Sequence, residues 1–137
     1  MSKSFIKTIL IIILIGHGIG HAMSFFPLFG LNLSKTHSSN SWLLSSLLDE
    51  TVLKILYIFI WIAALALFIL AGSALAGWVM SAAAWKGLAI AASAVSLGGL
   101  ILFWGAFPFL MPNKIGVIAV DLFFLVLLLL TDKLIDY

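Results

Sequence analysis

His17 and His21 stand four residues apart in one apolar run, and Asp121 is an acid inside another. On a helix, positions i and i+4 lie on one face, one turn apart. An imidazole can donate, accept, ligate a metal or carry a proton near neutral pH. A carboxyl group beside it supplies an acceptor or takes the proton. Three kinds of chemistry follow. His17 can donate to Asp121 and pin two helices together. His17, His21 and Asp121 can form a proton relay, or bind a small polar ligand or a lipid headgroup. His17 and His21 can chelate a divalent metal such as Zn²⁺ or Cu²⁺ with Asp121 as third ligand, or serve a haem. Haem fits less naturally, because two imidazoles on the same face of one helix cannot take opposite axial positions. The remaining histidine, His37, lies in a polar stretch and is expected to be exposed.

The elements that carry these residues follow from composition. The chain has 137 residues, 64% hydrophobic and 9% charged, with no cysteine, and its mean hydropathy is +1.29. A soluble domain is about 45–50% apolar and roughly 25% charged. Twelve charged side chains cannot cover a water-facing globule of this size. A water-soluble enzyme, a disordered tail and a disulfide scaffold are excluded. The lysines are scattered and arginine is absent, so nothing favours a nucleic-acid partner. About 20 apolar residues cross a bilayer as a helix. Four runs qualify, at about 5–26, 52–74, 84–107 and 115–130. The expected fold is all-α: a single membrane-embedded domain over 1–137, an antiparallel four-helix bundle with short turns after the second and third spans. The first connection is long and polar, and its second half, Trp42 to Glu50, is expected to lie flat as a short amphipathic helix at the interface. His17 lies about nine residues below the exit of the first span, and Asp121 about nine below the start of the fourth. At 1.5 Å per residue both sit roughly 13 Å deep.

Small residues indicate where helices touch. The first span carries Gly16-x-x-x-Gly20 overlapped by Gly18-x-x-x-Ala22, and the second carries Ala64, Gly72 and Ala76. The third has Gly87, Ala91, Val95 and Gly99 on one stripe and Ala84, Ala92 and Ser96 on the next, so it is expected to be the most buried. The fourth, rich in Phe and Leu, is expected to face lipid over much of its second half. Trp42, Trp78, Trp85 and Trp104 fall near span ends, where indoles settle at an interface. Trp61 lies deep and should pack on another helix. Ser46-x-x-Asp49 reads as a helix N-terminal cap. Lys3, Lys7, Lys86 and Lys133 against Lys35, Lys54 and Lys114 favour cytoplasmic N- and C-termini. A cleavable leader ending at Gly20-His21-Ala22 is the alternative for the first span. Asn32-Leu33-Ser34 matches a glycosylation sequon. No phosphate-binding loop, nucleophile elbow or HExxH zinc motif is present, so the reading leans away from an enzyme.

The segment Gly16-His17-Gly18-Ile19-Gly20-His21-Ala22-Met23-Ser24-Phe25 resembles the opening of a set of small prokaryotic four-helix membrane proteins, loosely DoxX-like, whose first helix carries H-G-L-I-H-L-L-G-F. Their fourth helix follows a segment of the type W-G-D-A-R-F-G-T-L-P-N. Trp104 to Asn113 stands at that place here without its Asp and Arg. The resemblance implies the four-helix architecture and the His17/His21 pair, and it leaves Asp121 as the acid available to replace the missing one. The expected role is a small integral membrane protein acting as a binding or accessory subunit. Its partners would be lipid and either a larger membrane complex or further copies of itself. The alternative is a ligand, metal, haem or proton-relay site at His17, His21 and Asp121.

Overall fold

The computed structural model describes residues 2–130, which leaves Lys133 of the charge comparison outside the described residues. The described residues contain helices and no strand. Four spans are long and apolar enough to cross a membrane: Lys3–Phe29, Glu50–Ala76, Ala82–Leu102 and Leu110–Leu130. Their α-helical parts are α1 (Lys3–Gly20), α2 (Glu50–Ala76), α3 (Trp85–Leu102) and α4 (Ile115–Leu130). Neighbours run antiparallel. Gly18 meets Phe68 while Leu14 meets Gly72, and Tyr57 meets Phe103 while Gly99 meets Trp61.

Local chemistry sets the helix ends. Ser2 Oγ accepts from the Phe5 amide and opens α1. At His21 the coil tightens into a 3-10 helix that continues to Phe29. Asp49, rather than Ser46, caps α2: its Oδ1 accepts from the Thr51 and Val52 amides at 2.9 and 3.0 Å. Gly77 ends α2 at φ 78°, a left-handed position that glycine adopts without steric cost. There Trp78 N–H reaches Ser73 C=O, closing the end of the helix. The third helix stops at Leu102, five residues short of the expected 107. The loop takes its last carbonyls: Trp42 Nε1 donates to Ile101 O and Ser41 Oγ to Leu102 O.

The same loop corrects two further expectations. Trp42 to Leu48 forms turns rather than a regular helix. His37 is buried, only 2% exposed. Ser38 N–H donates to Gly105 O, and Ser34 Oγ and Thr36 Oγ1 reach Pro108 O. These bonds lay the loop on residues 105–108 and enclose the imidazole.

The core forms two apolar clusters. One joins Leu10, Leu14, Phe68, Ala71, Ala92, Phe124 and Leu128. The other, toward the long loop, joins Tyr57, Trp61, Ala64, Leu100, Phe103, Phe107 and Val117. Trp85 is buried in the first cluster, whereas Trp42, Trp78 and Trp104 are exposed. The third span has the largest buried share, 39% against 33% for the second, though its stripe is not the first one expected. Gly87 and Ala91 are exposed, and Ala89, Ala92, Ser93, Ser96 and Gly99 are buried. The last turns of α4 bury only Phe124 and Leu128. In α1 the close contact is Gly18, whose absent Cβ would lie 3.0 Å from Phe68 Cβ; Gly16 and Gly20 face open space.

Two sets of measurements check this packing. A Cβ at Gly99 would lie 2.6 Å from Ile60 Cγ2 and 3.2 Å from the Trp61 ring, so Gly99→Ala should destabilise by about 1–3 kcal/mol. Gly16→Ala, with nothing within 4 Å, should be neutral or stabilising by up to about 1 kcal/mol. Equal effects in detergent unfolding would contradict the placement of α3. For His37, burial outweighs the backbone carbonyls that favour the charged ring and, with a small push from the Lys114 ammonium, holds the imidazole below its ordinary value of 6.5. The unfolded loop therefore takes up a proton more readily than the folded one. The stabilisation is complete above pH 6.5 and is lost as pH falls through the folded value. The protection factor of the Leu33 amide, which donates to His37 Nδ1 at 3.2 Å, should fall on acidification in the native chain and not in His37→Gln.

Candidate functional site

Between the two apolar clusters lies a polar layer. Its first member, His17, is on α1 with its side chain 11% exposed; its partner Asp121, on α4, is fully buried. His17 Nε2 lies 2.9 Å from Asp121 Oδ1. The expected meeting of the two helices at matching depth is thus observed. An unpaired carboxylate buried among apolar side chains would be costly, and the imidazole supplies the partner.

His21 completes the layer from the next turn. Its backbone N–H turns to Gly18 O as the helix tightens. His21 Nδ1, 2.9 Å from His17 O, takes up that carbonyl. A carbonyl only accepts, so Nδ1 carries hydrogen. In the neutral ring Nε2 must then accept, and Ser96 Oγ on α3 lies 2.8 Å away to donate. The Ser96 hydroxyl also lies beside the Asp121 carboxyl, so the layer ties α1, α3 and α4. Aromatic rings wall it in. His21 stacks on Phe68 at 5.5 Å and meets Phe107 edge-on at 5.8 Å, and Phe68 meets His17 edge-on at 4.7 Å. Ser24 Oγ donates to His21 O at 2.7 Å, and the Tyr57 hydroxyl donates to Ser24 O. Asp121 Oδ2 and Ser93 Oγ are buried with no hydrogen-bond partner among the described residues.

The pairing shows how the two histidines expected to chelate a metal are held when none is bound. Both His21 nitrogens are engaged inside the protein, and the His17 and His21 rings meet edge to face at 87° rather than converging on a point. Among the described residues no group of three or more His, Asp or Glu side chains is placed to hold a metal ion. Ligation through His21 Nε2 would require breaking its bond to Ser96, while the Nδ1–H bond to the His17 carbonyl could stay.

His17 also borders a cleft of about 250 Å³ lined by Gly20, Met23, Phe107, Asn113, Gly116, Val117 and Val120. Asn113 Nδ2 donates to Met23 Sδ at 3.4 Å. His17 Nδ1 makes no hydrogen bond to the described residues. Sequence reasoning found His17, His21 and Asp121 but not the cleft, nor Ser96 as the partner of His21. Counting depth from the true end of α3 would have found Ser96, six residues inside Leu102. The expected end at 107 placed it too deep.

No family model matches the chain, and neither a curated protein nor a solved structure matches it.

A double-mutant cycle on His17→Ala and Asp121→Ala should give a coupling of about 0.5–2 kcal/mol, the range for hydrogen bonds between membrane helices. A coupling indistinguishable from zero would mean the pair contributes no more than packing.

Proposed function

We propose that the chain is a multi-pass integral membrane protein that binds a small ligand at His17, with the proton content of the His17–Asp121 pair setting how that ligand is held. Membrane embedding is supported by the surface. Phe59, Ile62, Ile101, Val126 and Leu129 are all exposed, an apolar covering that water would not tolerate. Lys3 and Lys7 in front of α1 support a cytoplasmic N-terminus, with the 30–49 loop on the opposite side. The motif in Gly16–Phe25 supports kinship with small four-helix membrane proteins.

The geometry that carries the functional reading is that His17 bonds Asp121 through one nitrogen while the same ring lines an open cleft. Consider the pair with one proton fewer. Asp121 is a carboxylate, His17 Nε2–H donates to it, and Nδ1 presents a lone pair. Add one proton. When it rests on the ring, or on Oδ1 where it faces Nε2, Nδ1 carries hydrogen and becomes a donor. The proton content of the pair is thereby displayed as the hydrogen-bonding sense of His17. A ligand that needs an acceptor favours one state, and a ligand that needs a donor favours the other. By linkage, binding then takes up or releases a proton. An accessory role in a larger membrane complex would use the same reading if the ligand belongs to that complex.

Nitrogen-15 spectra of the His17 ring in lipid nanodiscs test this. Across a pH series the Nδ1 signal should move between acceptor and donor positions, and Asp121→Asn should alter that movement. A His17 signal that is constant across that series overturns the reading.

A further inference from the structure

The lining of the cleft limits what can occupy it. No lysine and no carboxylate oxygen borders it; its polar side chains are His17 and Asn113, and the rest are apolar or glycine. A charged head at this depth would need a counter-charge within a few ångströms, because burying an unpaired ion costs far more than burying a hydrogen-bonded dipole. Lys114, the nearest cation in sequence, is buried outside the cleft against the Trp104 ring, 5.0 Å from its centroid. The two polar contacts are complementary in kind. The Asn113 side chain offers an amide whose carbonyl has no partner among the described residues, and His17 Nδ1 offers a donor or an acceptor according to the proton content of the pair. A head with both a donor and an acceptor satisfies them in either state.

Glycine shapes the walls. Gly20 and Gly116 both border the cleft, and a Cβ at either would meet nothing within 4 Å. Gly20 has φ −56°, ordinary helical backbone, and Gly116 lies in the first turn of α4 without a positive φ. Neither position needs glycine for conformation or for packing within the chain. Glycine in a helix costs about 1 kcal/mol relative to alanine, and what it leaves at these positions is room. At about 250 Å³ the cleft is smaller than the roughly 300–1,000 Å³ of drug-sized sites, which suits one ring or a short chain with its head.

We propose that the cleft between α1 and α4 binds a small uncharged molecule whose head is both hydrogen-bond donor and acceptor, of carboxamide or hydroxyl type, with its apolar body against Met23, Phe107, Val117 and Val120. This rests on the functional reading of His17 given above, and its test separates the two. Three probes with planar heads of nearly equal size differ chiefly in head charge: 4-fluorobenzamide, 4-fluorobenzoate and 4-fluorobenzamidinium. Their fluorine-19 signals are titrated against nanodiscs holding the full chain, with empty nanodiscs as the partition reference. The expected result is saturable binding of the amide at least tenfold tighter than of either ion. Gly116→Leu and Gly20→Leu, which fill the cleft without touching the His17–Asp121 bond, should each weaken the amide at least tenfold. The His17 nitrogen signals of each variant report whether the centre is intact, and a variant with altered signals is replaced by the corresponding Gly→Val. Preference for either ion, binding of none of the probes, or amide binding unchanged in both filled variants overturns the assignment. If His17 still titrates while no probe binds, only the ligand class fails. If His17 does not titrate, the functional reading beneath it fails as well.

Discussion

An imidazole and a carboxyl group withdrawn from water each lose hydration that apolar neighbours cannot return. Each therefore stays in place only while the other is within hydrogen-bonding distance. The 2.9 Å contact between His17 and Asp121 meets that condition, and much of the bundle is arranged around it. It fixes the height of α1 against α4 and places His21 one turn along, where Ser96 answers it from α3. It also divides the apolar interior into one cluster built around Phe68 and Phe124 and another around Trp61 and Phe107. Phe68, Trp61 and Phe107 all face the His21 ring, so the large aromatics of both clusters end where the polar layer begins.

The tightening of the first span at His21 belongs to the same economy of hydrogen bonds. A regular α-helix would give the His17 carbonyl to the His21 amide. Here that amide turns to Gly18, and the imidazole of His21 serves the His17 carbonyl instead. The bond settles the tautomer of His21 and thereby the direction in which the Ser96 hydroxyl points. In this arrangement His21 is a structural donor and acceptor, with both ring nitrogens bonded inside the protein. His17 differs because one of its nitrogens is uncommitted and its ring borders open space. The two histidines of the motif thus divide into one that holds the helices and one that can respond to what enters the cleft.

The long loop has an organising part of its own. It supplies the caps for the end of α3, covers residues 105–108 and buries His37. Phe107, held under this cover, belongs to the wall of the cleft, so the loop and the cleft share a side of the fold. Gly105 permits the approach: a Cβ there would lie 2.6 Å from Ser38 Oγ and 2.9 Å from Ser38 O.

Much of this was written in the chain itself. Continuous apolar runs of spanning length determine helices, because no other open structure satisfies backbone groups in hydrocarbon. Short turns determine antiparallel order. Counting residues from the ends of two such runs was enough to bring His17 and Asp121 to one level, since the rise per residue of a helix is fixed. The depth of Trp61 and the crowding of small residues in the third span were legible for the same reason. Rotation about the helix axis was not. Gly16 and Gly20 face outward while Gly18 packs, Gly87 and Ala91 are exposed while Ala89 and Ala92 are buried, and Trp85 turns inward at a span end. A stripe of small residues fixes a periodicity but does not say which neighbour occupies it. Tertiary structure alone decided the fate of His37, the early end of α3 and the orientation of the two imidazoles. Each depends on a hydrogen-bond partner distant in sequence, and such a partner becomes available only when separate elements have been brought side by side.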